Sequence, residues 1–129
     1  MKTTIQAVLV AALLVTPALA DSARQVVFHL NEPVKILELL TAVEQLDREE
    51  PATTIAVVVN GPAVVRLSKS LDYAAGILAH TDWLGACAAA LDNQHLARED
   101  LAEGIHYISP SGTAALMDFQ EQGYAYIKI

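Results

Sequence analysis

The sequence contains one cysteine, Cys87, in 129 residues. A single thiol cannot form a disulfide within its own chain, and without a CxxC companion it does not make a zinc-binding pattern. The histidines offer no alternative ligand cluster, because they are scattered along the chain at positions 29, 80, 95 and 106. The sequence therefore predicts neither an internal disulfide nor a metal site.

Basic residues are also scarce, since eight lysines and arginines stand against fifteen aspartates and glutamates, for a formal net charge of −7. Contacts with nucleic acids and anionic lipids depend on attraction between phosphates and basic side chains, so this balance argues against both partners. The chain has no internal repeat, no low-complexity tract and no Ser/Thr/Gly run of the kind that cradles a phosphate. A flavodoxin-like cofactor binder is therefore disfavoured, and we predict no cofactor.

Residues 1–20 are typical of a secretory signal peptide. Lys2 supplies the positive start, residues 5–15 form an apolar run, and a small-residue cleavage pattern ends at Ala20. The run is shorter than the ~20 residues that a membrane-spanning helix requires, and the residue after the predicted cut, Asp21, is not a cysteine that could be lipidated. We predict cleavage after Ala20, which leaves residues 21–129 as one exported, periplasmic domain without a membrane anchor.

Apolar and β-branched runs alternate with helical patterns along the rest of the chain. The predicted strands are residues 26–30, 54–59, 83–86, 105–108 and 124–129. The predicted helices begin at Pro33, cover 63–80, 88–93 and 98–103, and run from a Ser109-Pro110 cap to Gln122. In the region 63–80, residues 68–72 and Gly76 interrupt the helical pattern, which allows a division into two pieces. Helices placed between buried strands require mostly parallel pairing with right-handed crossovers. We therefore predict an α/β fold, a three-layer α/β/α sandwich around a mostly parallel five-stranded sheet.

Polar residues follow the predicted strands at their carboxyl ends, the edge where parallel sheets bind ligands. The candidates are His29 and Asn31 at the first strand, Asn60 and Gly61 at the second, Cys87 at the third and residues 109–112 at the fourth. At the start of a helix, unpaired N–H groups and the helix dipole favour the thiolate form of a cysteine. Cys87 is therefore the candidate nucleophile, with Asn60 and Gly61 as hydrogen-bond donors and His29 as proton donor or acceptor.

Each of these assignments has a structural alternative. A lone cysteine is often a small buried hydrophobic residue, although export to an oxidising compartment requires that such a thiol be buried, partnered or used. His29 also suits a buried imidazole with satisfied hydrogen bonds. Asn60-Gly61-Pro62 suits a tight turn, and Ser109 and Ser111 suit helix caps.

Four segments together resemble the DsrE/DsrF-like family, which includes the YchN-like proteins: residues 27–33, 56–64, 85–88 and 120–127. The resemblance implies a compact α/β sandwich that assembles into trimers or hexamers, with relatives that carry persulfide sulfur during sulfur oxidation or transfer-RNA thiolation. Cys87 stands at the position of the family cysteine. Many relatives read Ala-Cys-Ala-Asn-Ser-Leu here, whereas this chain has alanines at 89 and 90, so two polar side chains that could bind a sulfur species are missing.

Two functions follow from these features. In the first, Cys87 accepts sulfane sulfur from a donor protein and passes it to an acceptor, as a sulfurtransferase-like relay. In the second, the protein is a noncatalytic oligomeric binding or scaffold protein whose cysteine is structural. A homo-oligomer is expected in both cases, with candidate contact residues Leu84, Leu91, Tyr107, Tyr124 and Tyr126.

Overall fold

The computed structural model describes residues 23–129, so the predicted signal peptide and its cleavage site lie outside the described residues. Five strands form one sheet. They are β1 (Gln25–Leu30), β2 (Thr54–Val59), β3 (Trp83–Cys87), β4 (His106–Ile108) and β5 (Ala125–Lys128). All four strand pairs are parallel, and the order across the sheet is β4-β3-β2-β1-β5. The predicted α/β class and parallel five-stranded sheet are confirmed.

Four α-helices and three short 3₁₀ helices connect the strands. The α-helices are α1 (Ile36–Glu49), α2 (Tyr73–Leu78), α3 (Ala88–Asn93) and α4 (Gly112–Glu121); the 3₁₀ helices are Pro33–Lys35, Gly61–Leu67 and Arg98–Asp100. None of the helices within residues 23–129 has the length and apolar character needed to cross a membrane.

The helices lie on both faces of the sheet, which gives the expected three layers. One face carries the larger core, where α1 buries Ile36, Leu39 and Val43 against apolar residues of β1, β2 and β3. On the opposite face, Leu116 of α4 packs on a smaller core that includes Val58 of β2. Successive side chains of a strand point to opposite faces, and β2 is buried from Ile55 to Val59 because both faces are covered. A continuous apolar run is the sequence pattern of such a strand.

Three details of the helices refine or correct the sequence prediction. The interrupted helical region over 63–80 is divided, as its pattern allowed, into the 3₁₀ helix Gly61–Leu67 and α2, because Ser68 leaves the helical conformation and bridges to Leu101. The helix predicted over 98–103 is only the 3₁₀ helix Arg98–Asp100, because the backbone of Leu101 is extended, with φ −77° and ψ 150°. Of the two serines that suited helix caps, Ser109 does not cap the last helix. Ser111 is the N-cap of α4, and its hydroxyl accepts a 3.4 Å hydrogen bond from the Ala114 N–H.

Candidate functional site

Three candidate residues become neighbours at the carboxyl edge of the sheet because the strands are in register. Leu30 pairs with Val59, and Val59 pairs with Ala86. The next residue along each strand is therefore Asn31, Asn60 and Cys87, side by side across β1, β2 and β3. The amide of Asn31 donates a 2.9 Å hydrogen bond from Nδ2 to Oδ1 of Asn60, which ties the first two together.

Cys87 lies on the wall of a cleft of about 330 Å³ at this edge. The lining residues come from the ends of β2 and β3, from both ends of α3 and from the start of α4: Asn60, Gly61, Pro62, Cys87, Ala89, Ala90, Asn93, Gln94, Ser111 and Thr113. Cys87 is a free thiol with 6% of its surface exposed. Among residues 23–129, no lysine or arginine lines the cleft, so its hydrogen-bond donors are backbone N–H groups, amides and hydroxyls. Within residues 23–129, no three His, Cys, Asp or Glu side chains lie together as a metal site.

The strand β3 extends one residue further than predicted and ends at Cys87 itself. Cys87 has extended backbone angles, φ −67° and ψ 123°, and is the N-cap of α3, which begins at Ala88. Its side chain does not form a capping hydrogen bond. The first backbone N–H groups of α3 have no partner inside the helix, and two of the residues that carry them, Ala89 and Ala90, line the cleft. The expected junction of strand, thiol and helix is therefore present.

The side chain of Asn60 is held by a chain of hydrogen bonds that starts outside the cleft. Oδ1 of Asn60 lies 2.8 Å from Nε2 of His29, and Nδ1 of His29 lies 2.6 Å from the hydroxyl of Tyr126. An amide oxygen only accepts, so Nε2 is assigned as the protonated nitrogen. In the neutral ring, Nδ1 then accepts the proton of the Tyr126 hydroxyl. Both imidazole nitrogens are satisfied, which supports the structural interpretation of His29.

Two glycines allow the close packing around this edge. Gly61 has a left-handed backbone with φ +57°, and a Cβ there would lie 3.0 Å from Cγ of Asn31. At position 112, a Cβ would lie 3.3 Å from Cβ of Cys87 and 3.4 Å from Cβ of Asn60. A side chain at 112 would thus enter the space between these two residues. Because both positions are glycine, no side chain at 61 or 112 fills the space at this edge of the sheet.

The structure brings only part of the predicted set into the cleft. Cys87, Asn60, Gly61 and Ser111 line it. His29 and Asn31 do not, because their side chains contact Asn60 from the other side. Residues that the sequence analysis missed are Asn93, Gln94 and Thr113 in the lining, and Tyr126 as the partner of His29. The position of Tyr126 depends on β5 lying beside β1, and no sequence pattern specified that strand order.

The predicted subunit-contact residues also need correction. Leu84 and Leu91 are 0% and 1% exposed and belong to the core of their own chain, so they cannot contact another subunit. Tyr126 is 41% exposed, and Tyr107 and Tyr124 are partly buried at the edges of the two cores. An alternation of buried and exposed strand residues does not distinguish a subunit contact from a core contact, which explains the error.

The fold is similar to that of a solved protein of unknown function, MTH1491 from Methanobacterium thermoautotrophicum. The two structures have a TM-score of 0.73 and 26% sequence identity, over 82% of this chain and 99% of that chain. No protein-family model matches the chain, and no curated protein matches it. The comparisons therefore agree with the α/β sandwich architecture.

Proposed function

We propose that the protein is an exported, DsrE/DsrF-like persulfide carrier in which Cys87 accepts sulfane sulfur and passes it to an acceptor thiol. The observation that carries this proposal is the position of Cys87 at the carboxyl edge of a parallel sheet, on the wall of a cleft with amide and hydroxyl side chains. Ligands of parallel sheets bind at this edge. The cleft is large enough for the end of a small sulfur donor or for an acceptor thiol.

The orientation of Asn60 gives the cleft a donor for a sulfur anion. Oδ1 of Asn60 is occupied by Asn31 and His29, so Nδ2 is the part of the amide left to face a ligand. The N–H groups at the start of α3 add further donors. Hydrogen bonds to an anion are stronger than those between neutral groups, and this arrangement would stabilise a persulfide anion on Cys87. It supplies polar contacts that the alanines at 89 and 90 do not.

The chemistry needs no cofactor and no net oxidation. The Cys87 thiolate attacks the outer sulfur of a donor persulfide, R–S–SH; a new S–S bond forms on Cys87 as the donor S–S bond breaks, and the electron pair leaves on R–S⁻. The product is Cys87–S–SH. An acceptor thiolate then attacks the outer sulfur of Cys87–S–SH, takes it as its own persulfide and releases the Cys87 thiolate.

Intact-mass measurement of the purified protein tests this step. After incubation with a persulfurated sulfurtransferase, or with polysulfide, we expect a mass gain of one sulfur atom that a thiol reductant removes. The Cys87→Ser variant should show no gain, and transfer to a second thiol should restore the original mass. A wild-type protein that gains no sulfur from either donor would contradict the proposal.

Two alkylating reagents of similar shape but different charge test the role of Asn60. Asn60→Asp keeps the shape of the side chain but replaces the Nδ2 donor by a carboxylate oxygen. We expect it to slow alkylation of Cys87 by anionic iodoacetate roughly tenfold relative to its effect on neutral iodoacetamide, because an anion loses a donor and meets a like charge. Asn93→Asp, at the other end of α3 in the same lining, is the control. An equal effect of Asn60→Asp on both reagents would rule out anion binding by Asn60.

A noncatalytic oligomeric scaffold is the second candidate, because Cys87 is buried and belongs to the larger apolar core. Exposed apolar side chains such as Val34 and Leu37 are available for subunit contacts, and a trimer or hexamer is the proposed assembly. Sedimentation velocity measures the assembly. The thiol distinguishes the two functions, because a structural Cys87 would resist even neutral iodoacetamide in the native protein and would react only after unfolding.

A further inference from the structure

A second cleft, of about 590 Å³, lies on the α4 face of the sheet and is larger than the cysteine cleft. It follows β3 and β4 and borders the C-terminal half of α4. The lining residues are Thr54, Ala56, Asp82, Trp83, His106, Tyr107, Ile108, Ser109, Ala115, Asp118, Phe119, Gln122 and Tyr124. It shares no lining residue with the cysteine cleft, so the proposed sulfur chemistry does not explain it. We call it the aromatic groove.

Four rings form a continuous row in the aromatic groove. The imidazole of His106 stacks on the indole of Trp83 with ring centroids 4.8 Å apart and planes 12° from parallel. The ring of Phe119 makes edge-on contacts with the rings of Trp83 and Tyr124, with ring centroids 5.1 Å and 4.8 Å apart, respectively. Gly85 permits this arrangement, because a Cβ at that position would collide with the indole. The absence of a side chain at 85 lets the Trp83 ring lie flat along the sheet.

The charged groups of the aromatic groove are acidic. Asp82 and Asp118 line it, and no lysine or arginine of the described part of the chain does. One oxygen of Asp82 is fixed by a 2.8 Å hydrogen bond from the Ile55 N–H, which leaves the second oxygen for a ligand. The guanidinium of Arg98 stacks on the ring of Tyr107, 5.0 Å from its centroid, but Arg98 itself is not among the residues that line the groove.

We propose that the aromatic groove binds a small organic cation, an amine or quaternary ammonium with a flat or alkyl apolar body. The apolar body would pack against Trp83, Phe119 and Tyr124, and the cation would lie near Asp82 and Asp118. Aromatic faces attract cations, and this attraction is largest where water is excluded. The volume is in the range of clefts that hold small organic ligands. Two carboxylates without a basic partner select against an anionic ligand of the same shape.

The intrinsic fluorescence of the protein provides a direct assay, because Trp83 is the only tryptophan in the chain. We expect saturable changes in Trp83 emission with 3-phenylpropylamine and with benzyltrimethylammonium. The anion 3-phenylpropionate has the same ring and chain length as the amine but the opposite charge, and it should bind at least about tenfold more weakly. Equal binding of cation and anion, or no saturable change with either cation, would overturn the proposal.

Variants locate the site and separate it from the cysteine. Asp118→Asn should weaken amine binding roughly three- to tenfold, whereas Glu121→Gln, which removes a charge from the same helix outside the groove, should not. Cys87→Ser should bind the amine as wild type does, so failure of the sulfur-carrier proposal and failure of this one are distinguishable. A second copy of the chain is the competing occupant: if Phe119→Ala dissociates an oligomer and wild type binds no amine, the aromatic groove is a subunit interface and the proposal is wrong.

Discussion

Replacing Gly61 by alanine tests how tightly Gly61 packs on Asn31 at the carboxyl edge of the sheet. Gly61 has φ +57°, a left-handed conformation that is unfavourable for residues with a Cβ, and the added Cβ would lie 3.0 Å from Cγ of Asn31. Two separate costs are expected. The first is the backbone cost of the left-handed conformation, about 1–2 kcal/mol. The second is displacement of Asn31, which breaks its 2.9 Å hydrogen bond to Asn60 and removes about 1 kcal/mol.

Two further measurements separate the two costs. One is the same substitution at a second glycine, and the other is Gly61→Ala in a variant that lacks the Asn31 side chain. Gly123 also has a positive φ, +95°, but a Cβ there would meet nothing closer than 3.9 Å. Gly123→Ala should therefore lower the free energy of unfolding by the backbone cost alone, about 1–2 kcal/mol. Gly61→Ala should lower it by about 2–3 kcal/mol. In an Asn31→Ala background the obstruction is absent, so Gly61→Ala should again cost only about 1–2 kcal/mol.

Urea unfolding, followed by Trp83 fluorescence and far-ultraviolet circular dichroism at one fixed protein concentration, gives these free energies. The coupling between positions 31 and 61 is the difference between the two Gly61→Ala effects, and we expect about 1 kcal/mol. Two results would contradict this reasoning: Gly61→Ala lowers the free energy of unfolding no more than Gly123→Ala does, or lowers it equally with and without Asn31. Either result would mean that the close packing of Gly61 on Asn31 does not contribute to stability.

Three further substitutions can be checked by the same urea unfolding. Tyr126→Phe removes an exposed hydroxyl from a 2.6 Å hydrogen bond and should cost about 0.5–1 kcal/mol; no loss would mean that the tyrosine does not support the polar network. Ser111→Ala should cost about 0.5–1 kcal/mol because it removes the helix cap, whereas an equal loss in Ser109→Ala would contradict the assigned cap. Leu39→Ala should cost about 2–5 kcal/mol at a fully buried site, and Leu37→Ala, at a side chain 65% exposed, less than about 0.5 kcal/mol.

The strands were predictable for two reasons. Their apolar side chains pack into the cores on the two faces of the sheet, and residues that favour turns follow them. The run from Thr54 to Val59 is apolar throughout and has the same bounds in the structure as in the sequence prediction. The edge rule for parallel sheets also placed Asn60, Gly61 and Cys87 together correctly. The interruption of the second helical region at Ser68 was visible in its pattern, but the bridge from Ser68 to Leu101 was not, because it joins segments far apart in sequence.

The part of the site that the sequence did not predict depends on strand order. His29 lies inside the first strand, as predicted, and its ring is hydrogen-bonded to Tyr126 of β5 on one side and to Asn60 on the other. Local patterns do not say which strand lies beside β1, so Tyr126 could not be paired with His29. The aromatic groove was missed for the same reason, since Trp83, His106 and Phe119 come from three separate elements.

The bond between Tyr126 and His29 joins residues 97 positions apart, whereas the bond between His29 and Asn60 joins residues 31 apart. The entropy lost on closing a loop grows with the logarithm of its length, which makes the longer closure about 1 kcal/mol more unfavourable. During folding, β1 and β2 are therefore expected to associate before β5 docks beside them. The side of the His29 ring that faces Asn60 is therefore expected to gain its partner before the side that faces Tyr126.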